Sequence, residues 1–89
     1  MTHKVIYKYP VEPILDTFFH MMPKDAAILC VQMRDGTPQI WALVNPDAEE
    51  ERREFRRVGT GWEPKRISMH QYRGTYQDPP FVWHLFEIN

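Results

Sequence analysis

The chain has one cysteine, Cys30, in 89 residues. That excludes an intramolecular disulfide and the stapled scaffolds that small secreted domains use in place of a large core. A reducing compartment is the expectation. Long apolar runs are missing too. Nowhere do ~18 apolar residues follow one another, so no segment reads as a membrane-spanning helix. The opening Met-Thr-His-Lys-Val-Ile-Tyr-Lys is too short in apolar residues for a signal peptide. Glycine is scarce, with four, and none falls in a GxGxxG or Walker spacing. The four histidines, His3, His20, His70 and His84, show no helical ligand spacing and no second cysteine beside them. No metal site and no cofactor is implied. Net charge is −1, which disfavours tight non-specific DNA binding, where a strongly basic domain is the rule.

Aromatic residues, by contrast, are plentiful: three Trp, four Tyr and five Phe. Each brings a large apolar area to a chain that is short for building a core. One domain, residues 1–89, fits that length. Association into a homo-oligomer is expected, because so short a chain does not hide all its apolar surface. Charge is unevenly spread. Residues 1–51 hold four Lys/Arg against eight Asp/Glu, and residues 52–89 hold seven against four. Most of the positive charge lies between Arg52 and Arg73.

Eight prolines punctuate the chain into short segments, a spacing that favours strands over helices. Val5, Tyr7 and Tyr9 alternate with Lys4 and Lys8, as in a half-buried strand. Residues 14–22 fit a helix with Pro13 at its first position, or a strand in which Phe18, His20 and Met22 oppose Phe19 and Met21. The strand is favoured by Thr17-Phe18-Phe19. Residues 26–33 and 38–44 are apolar on both faces, as central strands are. Asp35-Gly36 between them is a hairpin signal. Trp41 and Leu29 are expected to be well buried there, and Cys30 reads as a small buried hydrophobe. Residues 49–58 are the most charged stretch and read as a strand near a sheet edge, where charge discourages wrong pairing. Residues 67–76 and 81–88 complete the strands, joined through Gln77-Asp78-Pro79-Pro80. The expected fold is mostly β: a small antiparallel sandwich or open barrel of about six or seven strands, with room for one short helix over residues 13–22 or 48–57.

No constellation points to catalysis. Asp47, Glu49 and Glu51 are the only carboxylates with strand spacing, and they read as a solvated edge. Gly59-Thr60-Gly61 reads as a tight turn using glycine's backbone freedom, or as a loop whose amides meet an anion. The candidate binding set is Arg53, Arg56, Arg57, Gly59, Thr60, Gly61, Trp62, Lys65 and Arg66. Arginine's planar fork suits phosphate and carboxylate alike. Trp62, Tyr72 and Tyr76 are candidates to stack on a base beside it. In a strand, Arg53 and Arg57 share a face with Phe55, and Arg52 and Arg56 take the other. If one face is buried, that pair must find carboxylates, and only the opposite pair is free. The competing reading is a solvated face whose arginines pair with Glu49, Glu50, Glu51 and Glu54.

Several segments carry a resemblance: Tyr7-Lys8-Tyr9-Pro10, Met22-Pro23-Lys24 ahead of Ile28-Leu29, Ile40-Trp41-Ala42-Leu43-Val44-Asn45-Pro46, Phe55 with Gly59-Thr60-Gly61, and Gly74-Thr75-Tyr76. In that order and spacing they resemble a family of small uncharacterised proteins of tailed bacteriophages, over nearly the whole chain. The family brings no established activity and no catalytic residues. What it implies is a setting, the cytoplasm of an infected bacterial host, where small phage proteins often disarm host machinery or defence systems. The expectation is a non-enzymatic accessory protein that binds a host protein or a small anionic, nucleotide-like ligand. The alternative is a structural or assembly factor of the virion or replication machinery, acting as an oligomer.

Overall fold

The computed structural model describes residues 3–89. Its elements are seven strands and one 3-10 turn: β1 (Val5–Pro10), β2 (Thr17–Pro23), β3 (Ala27–Arg34), β4 (Thr37–Val44), β5 (Glu50–Gly59), the turn Met69–Gln71, β6 (Tyr72–Asp78) and β7 (Phe81–Ile88). All strand pairs are antiparallel. They form a three-stranded sheet, order β1-β4-β3, and a four-stranded sheet, order β2-β5-β7-β6. The inner faces share one core. Val31, Ile40, Ala42 and Val44 come from the first sheet, and Phe18, Met22, Phe55, Trp83 and Leu85 from the second. The result is an open sandwich, not a closed barrel.

Neither proposed helix forms. In 13–22 the strand begins only at Thr17, after a crossing segment whose Val11 is plugged into the core at 1% exposure. Phe18 then stacks on Phe55 at 5.6 Å, which ties β2 to β5. Residues 50–59 gain a ladder on both sides, so hydrogen bonding outweighs their helical propensity. β5 is therefore an interior strand rather than the expected edge. β3 is the reverse: expected to be central, it lies at the edge of its sheet. The strand expected over 67–76 starts late, at Tyr72, because residues 67–71 form a loop and the 3-10 turn, whereas the strand expected over 81–88 forms as Phe81–Ile88.

The Asp35-Gly36 hairpin forms as its sequence dictates. Both residues have positive φ, 51° and 80°, the two left-handed positions of a type I′ turn. The strands it joins are apolar on both faces, yet only one face meets the core. In β4 the inner residues are Pro38, Ile40, Ala42 and Val44, all buried, so Trp41 points outward and is only half-buried. Leu29 is 50% exposed. It sits where the β3–β4 register slips between Ile28 and Cys30, so the bulge turns it out of the core. Cys30 pairs with Trp41 on the outer face and is half-buried, not enclosed.

One glycine holds the two sheets together along the β3–β6 side. A Cβ at Gly74 would lie 2.6 Å from Val31 Cγ1 and 3.4 Å from the Val31 backbone nitrogen. Val31 is stiff and buried, so neither atom yields easily. Chain equilibrium unfolding in urea should rank the substitutions by face. Ile40→Ala, at a fully buried site, is expected to cost about 2–5 kcal/mol. Trp41→Ala, despite deleting the larger side chain, should cost less. The opposite order would place Trp41 in the core.

Candidate functional site

Along β5 the period of two assigns each arginine a face. Arg53, Phe55 and Arg57 turn inward, and Arg52, Glu54, Arg56 and Val58 turn outward. The inner arginines are spent on structure. Arg53 makes a fork with Glu87: its Nη2 donates to Oε1 at 3.0 Å and its Nε donates to Oε2. Its Nη1 donates to the Ala26 carbonyl at 3.0 Å. Arg57 donates through Nε to Asp16 at 3.3 Å, and its guanidinium lies over the Trp83 ring, 4.0 Å from the centroid. The partners are thus Glu87, Glu51 and Asp16. Of the carboxylates expected from sequence, only Glu51 meets an inner arginine.

Glu87 is the residue that sequence reading passed over. Its side chain is 5% exposed, at the end of the inward row Trp83, Leu85, Glu87. Arg73 supplies a second guanidinium, with Nε at 3.1 Å from Oε1. The register slip between Tyr72 and Gly74 aims Arg73 there. Burial pushes the Glu87 carboxyl up, but the Arg53 hydrogen bond and the charges of Arg53 and Arg73 outweigh it and hold it below the ordinary carboxylate range. A cavity of about 530 Å³ opens above this cluster, with Asp25, Glu51 and Glu54 beside Arg52, Arg53 and Arg73. Its carboxylates, counting Glu87, outnumber its three arginines, so it does not suit an anion.

The outer face of the four-stranded sheet does. Here the loop after β5 folds back over β5 and β7 and encloses about 240 Å³ lined by Val58, Gly59, Thr60, Gly61, Trp62, Pro64, His84 and Phe86. The Trp62 amide donates to the Gly59 carbonyl at 3.0 Å and the Thr60 amide to Val82 at 3.1 Å, which closes a tight turn. Gly61 takes φ 93°, a left-handed conformation suited to glycine. The Trp62 indole lies over Gly59, where a Cβ would come 2.8 Å from its Cε2, and packs edge-on against Trp83 at 5.3 Å, so the ring turns to the inner-face side of the strand end while remaining 51% exposed. Arg56 points to this side and donates through Nη1 to the Lys65 carbonyl at 3.0 Å. Among the described residues no carboxylate lies within salt-bridge distance of Arg56, Lys65 or Arg66. Of the candidate set, then, Gly59, Thr60, Gly61 and Trp62 line the cavity, Arg56 holds the Lys65-Arg66 loop segment next to it through the Lys65 carbonyl, the Trp62 ring turns toward Trp83, and Arg53 and Arg57 are on the other face. Tyr72 is exposed near Phe86, but Tyr76 is buried and cannot stack on a ligand.

A hydrogen-bonded row crosses the floor of this cavity. Thr60 Oγ1 donates to the Val82 carbonyl at 3.2 Å, so it must accept from His84 Nε2–H at 2.8 Å. His84 Nδ1 is then the acceptor for Thr75 Oγ1–H at 3.0 Å, and Thr75 accepts from the Tyr72 hydroxyl at 2.5 Å. With the Thr60 proton held by a carbonyl and the imidazole lone pair held by Thr75, no base is poised on a nucleophile. Nor do the earlier carboxylate candidates assemble: Glu51 accepts the Asp25 amide at 3.1 Å and faces Arg53, and Asp47 lies in a turn closed on Asn45. Among the described residues no group of three metal-ligating side chains occurs, and no helix is long and apolar enough to cross a membrane.

A family model described as Domain of unknown function (DUF7352) matches residues 2–89. No curated protein and no solved structure matches the chain.

Because Glu87 is held below its ordinary value near 4.5, its ionised form stabilises the fold above that value. The contribution is lost as pH falls through the lower folded-state pKa. Glu87→Gln leaves two guanidinium ions without their counter-charge, and should cost about 3–5 kcal/mol at neutral pH. It should also flatten the decline in melting temperature below pH 4.5. Melts recorded across that range check both effects. Parallel curves for the two proteins would assign the acid sensitivity to other carboxylates.

Proposed function

The chain belongs to the DUF7352 family, and we propose that it is a non-enzymatic binding protein that takes a small anionic, nucleotide-like ligand on the outer face of its four-stranded sheet. One observation carries this reading. Arg56, on the outer row of β5 beside Val58, and the Lys65-Arg66 loop segment whose Lys65 carbonyl it holds adjoin a cavity of about 240 Å³, and among the described residues none of the three has a carboxylate within salt-bridge distance, whereas the inner arginines Arg53 and Arg57 each have one. A guanidinium fork matches two phosphate oxygens. Val58 and Phe86 supply the apolar wall, and Thr60 and His84 supply polar groups, with Thr75 holding His84 from behind. The likeness of its segments to phage proteins supplies the setting: the cytoplasm of an infected bacterium, where withdrawing a nucleotide-like signal would counter host defence.

Calorimetric titration with ADP and with pyrophosphate tests the site. The wild-type chain is expected to bind ADP, and Arg56→Glu with Arg66→Glu to abolish that binding. Both side chains are outside the core, so the melting temperature should stay nearly unchanged, as surface changes usually remain within about 0.5 kcal/mol. Lys65→Glu alone should weaken binding and leave the Arg56 contact to the Lys65 carbonyl in place. A folded double variant with undiminished affinity, or a wild-type chain that binds neither probe, would overturn the reading.

A further inference from the structure

We propose that the outer face of the three-stranded sheet is the interface of a homodimer. A single solvent-facing sheet surface ordinarily alternates to polar residues, and this one does not. The register sets it out in rungs. Ile6, Leu43 and Ala27 lie side by side across β1, β4 and β3, and all are apolar. The next rung is Lys8, Trp41 and Cys30, and the one beyond it Pro10, Gln39 and Gln32. Leu29 projects from the bulge beside the first two. Ile6 is 59% exposed and Leu29 50%, and Trp41, Leu43 and Cys30 are half-buried. Among the described residues the second sheet packs on the opposite face and leaves them uncovered.

The occupant that fits is a second copy. The strands of this face bear only two charges on it, Lys8 and Arg34, and no carboxylate, so the apolar end has no charge pattern to select a different protein. A twofold axis along the central strand β4 sets each face on its equivalent, with Lys8 and Arg34 on the edge strands β1 and β3, toward the rim and in reach of water. Size agrees. Three strands ~4.8 Å apart and about eight residues long at ~3.4 Å each give a face of roughly 15 by 27 Å. With its side chains, such a face offers about 600 Å² per copy, or ~1,200 Å² in a pair, at the lower end of the range for specific interfaces. Sheets pack face to face in this manner in sandwiches, with side chains interdigitating. The dimer is independent of the ligand site, which is on the far side of the molecule.

Light scattering at micromolar concentration should give twice the chain mass of 10.7 kDa. Ile6→Lys with Leu29→Lys, both at exposed positions, should return it to 10.7 kDa with circular dichroism unchanged. Phe19→Lys, on the outer face of the other sheet, should leave the dimer intact. Cys30 gives a second readout that needs no variant. It lies beside Trp41 on the proposed interface, so its reaction with a thiol reagent should slow as protein concentration rises through the monomer–dimer transition. Four results would overturn the proposal: a monomer mass for the wild-type chain, a dimer undisturbed by the Ile6/Leu29 substitutions, a dimer lost with Phe19→Lys, or a Cys30 reaction rate indifferent to association.

Discussion

A strand in the middle of a sheet sends alternate side chains into the core whatever they are, and β5 sends two arginines there. The ion pairs inside this sandwich follow from that constraint. A buried guanidinium without a partner is far costlier than one paired and hydrogen-bonded. Arg53 is therefore matched by Glu87 on the neighbouring strand, and Glu87, carrying two oxygens, draws in Arg73 as well. The bulge before Gly74 exists at the place where β6 must bring Arg73 to Glu87 and also let Val31 of the other sheet approach closely. Arg57 solves the same problem differently, with Asp16 from the β1–β2 connection and the face of Trp83. Sheet register, ion pairing and the closeness of the two layers are thus one arrangement.

The same alternation exports the remaining arginines to the opposite face. Arg52 lies over Phe19, 4.3 Å from its centroid. Arg56 holds the loop backbone at Lys65. Arg52 also meets Glu54 at 3.9 Å, whereas among the described residues Arg56, Lys65 and Arg66 have no carboxylate within salt-bridge distance. The charge balance of the C-terminal half is resolved by position: Glu87 is drawn inward, and uncompensated positive charge is left around Arg56 and the loop it holds. A chain of nearly zero net charge presents a local basic rim in this way.

How much of this was legible beforehand depends on the residue. Asp35-Gly36 announced its hairpin, because two adjacent left-handed positions need residues that tolerate positive φ. The alternation correctly grouped Phe18, His20 and Met22 on one face of β2 without saying which face is inner, and Arg53 with Arg57 was correctly paired to one face of β5. Trp41 and Leu29 were misplaced for a definite reason. Apolar residues on both faces show that both faces avoid water, but not which one the chain itself covers. β5 was misread as an edge because charge is the usual mark of an edge, and here the charges were consumed by partners distant in sequence. Glu87 is about thirty residues from Arg53, and nothing local betrays the pair. It is visible only as an acid that falls in phase with Trp83 and Leu85 on a strand whose other inward residues are apolar. The hydroxyl row that fixes His84 on the outer face depends on Thr60, just past the end of β5, and Thr75 in β6, which no local pattern links to it.

The two outer faces differ in chemistry, and their placement has a consequence for binding. The three-stranded sheet turns an apolar, nearly uncharged surface outward. The four-stranded sheet turns outward Arg56 with the loop it holds and the hydroxyl row. Since the two sheets are back to back, a dimer joined through the first would carry its two ligand sites at opposite outer surfaces, uncovered and equivalent. Association would then add stability to a small core without competing with ligand for surface. It would also make the assembly bivalent. Against a free small ligand that changes nothing per site. Against a partner presenting two anionic groups with the right separation, the second contact becomes intramolecular, and avidity rises without any new interaction within either site. The spacing of the two sites, fixed by two sandwiches stacked through one sheet each, would then decide which partners profit.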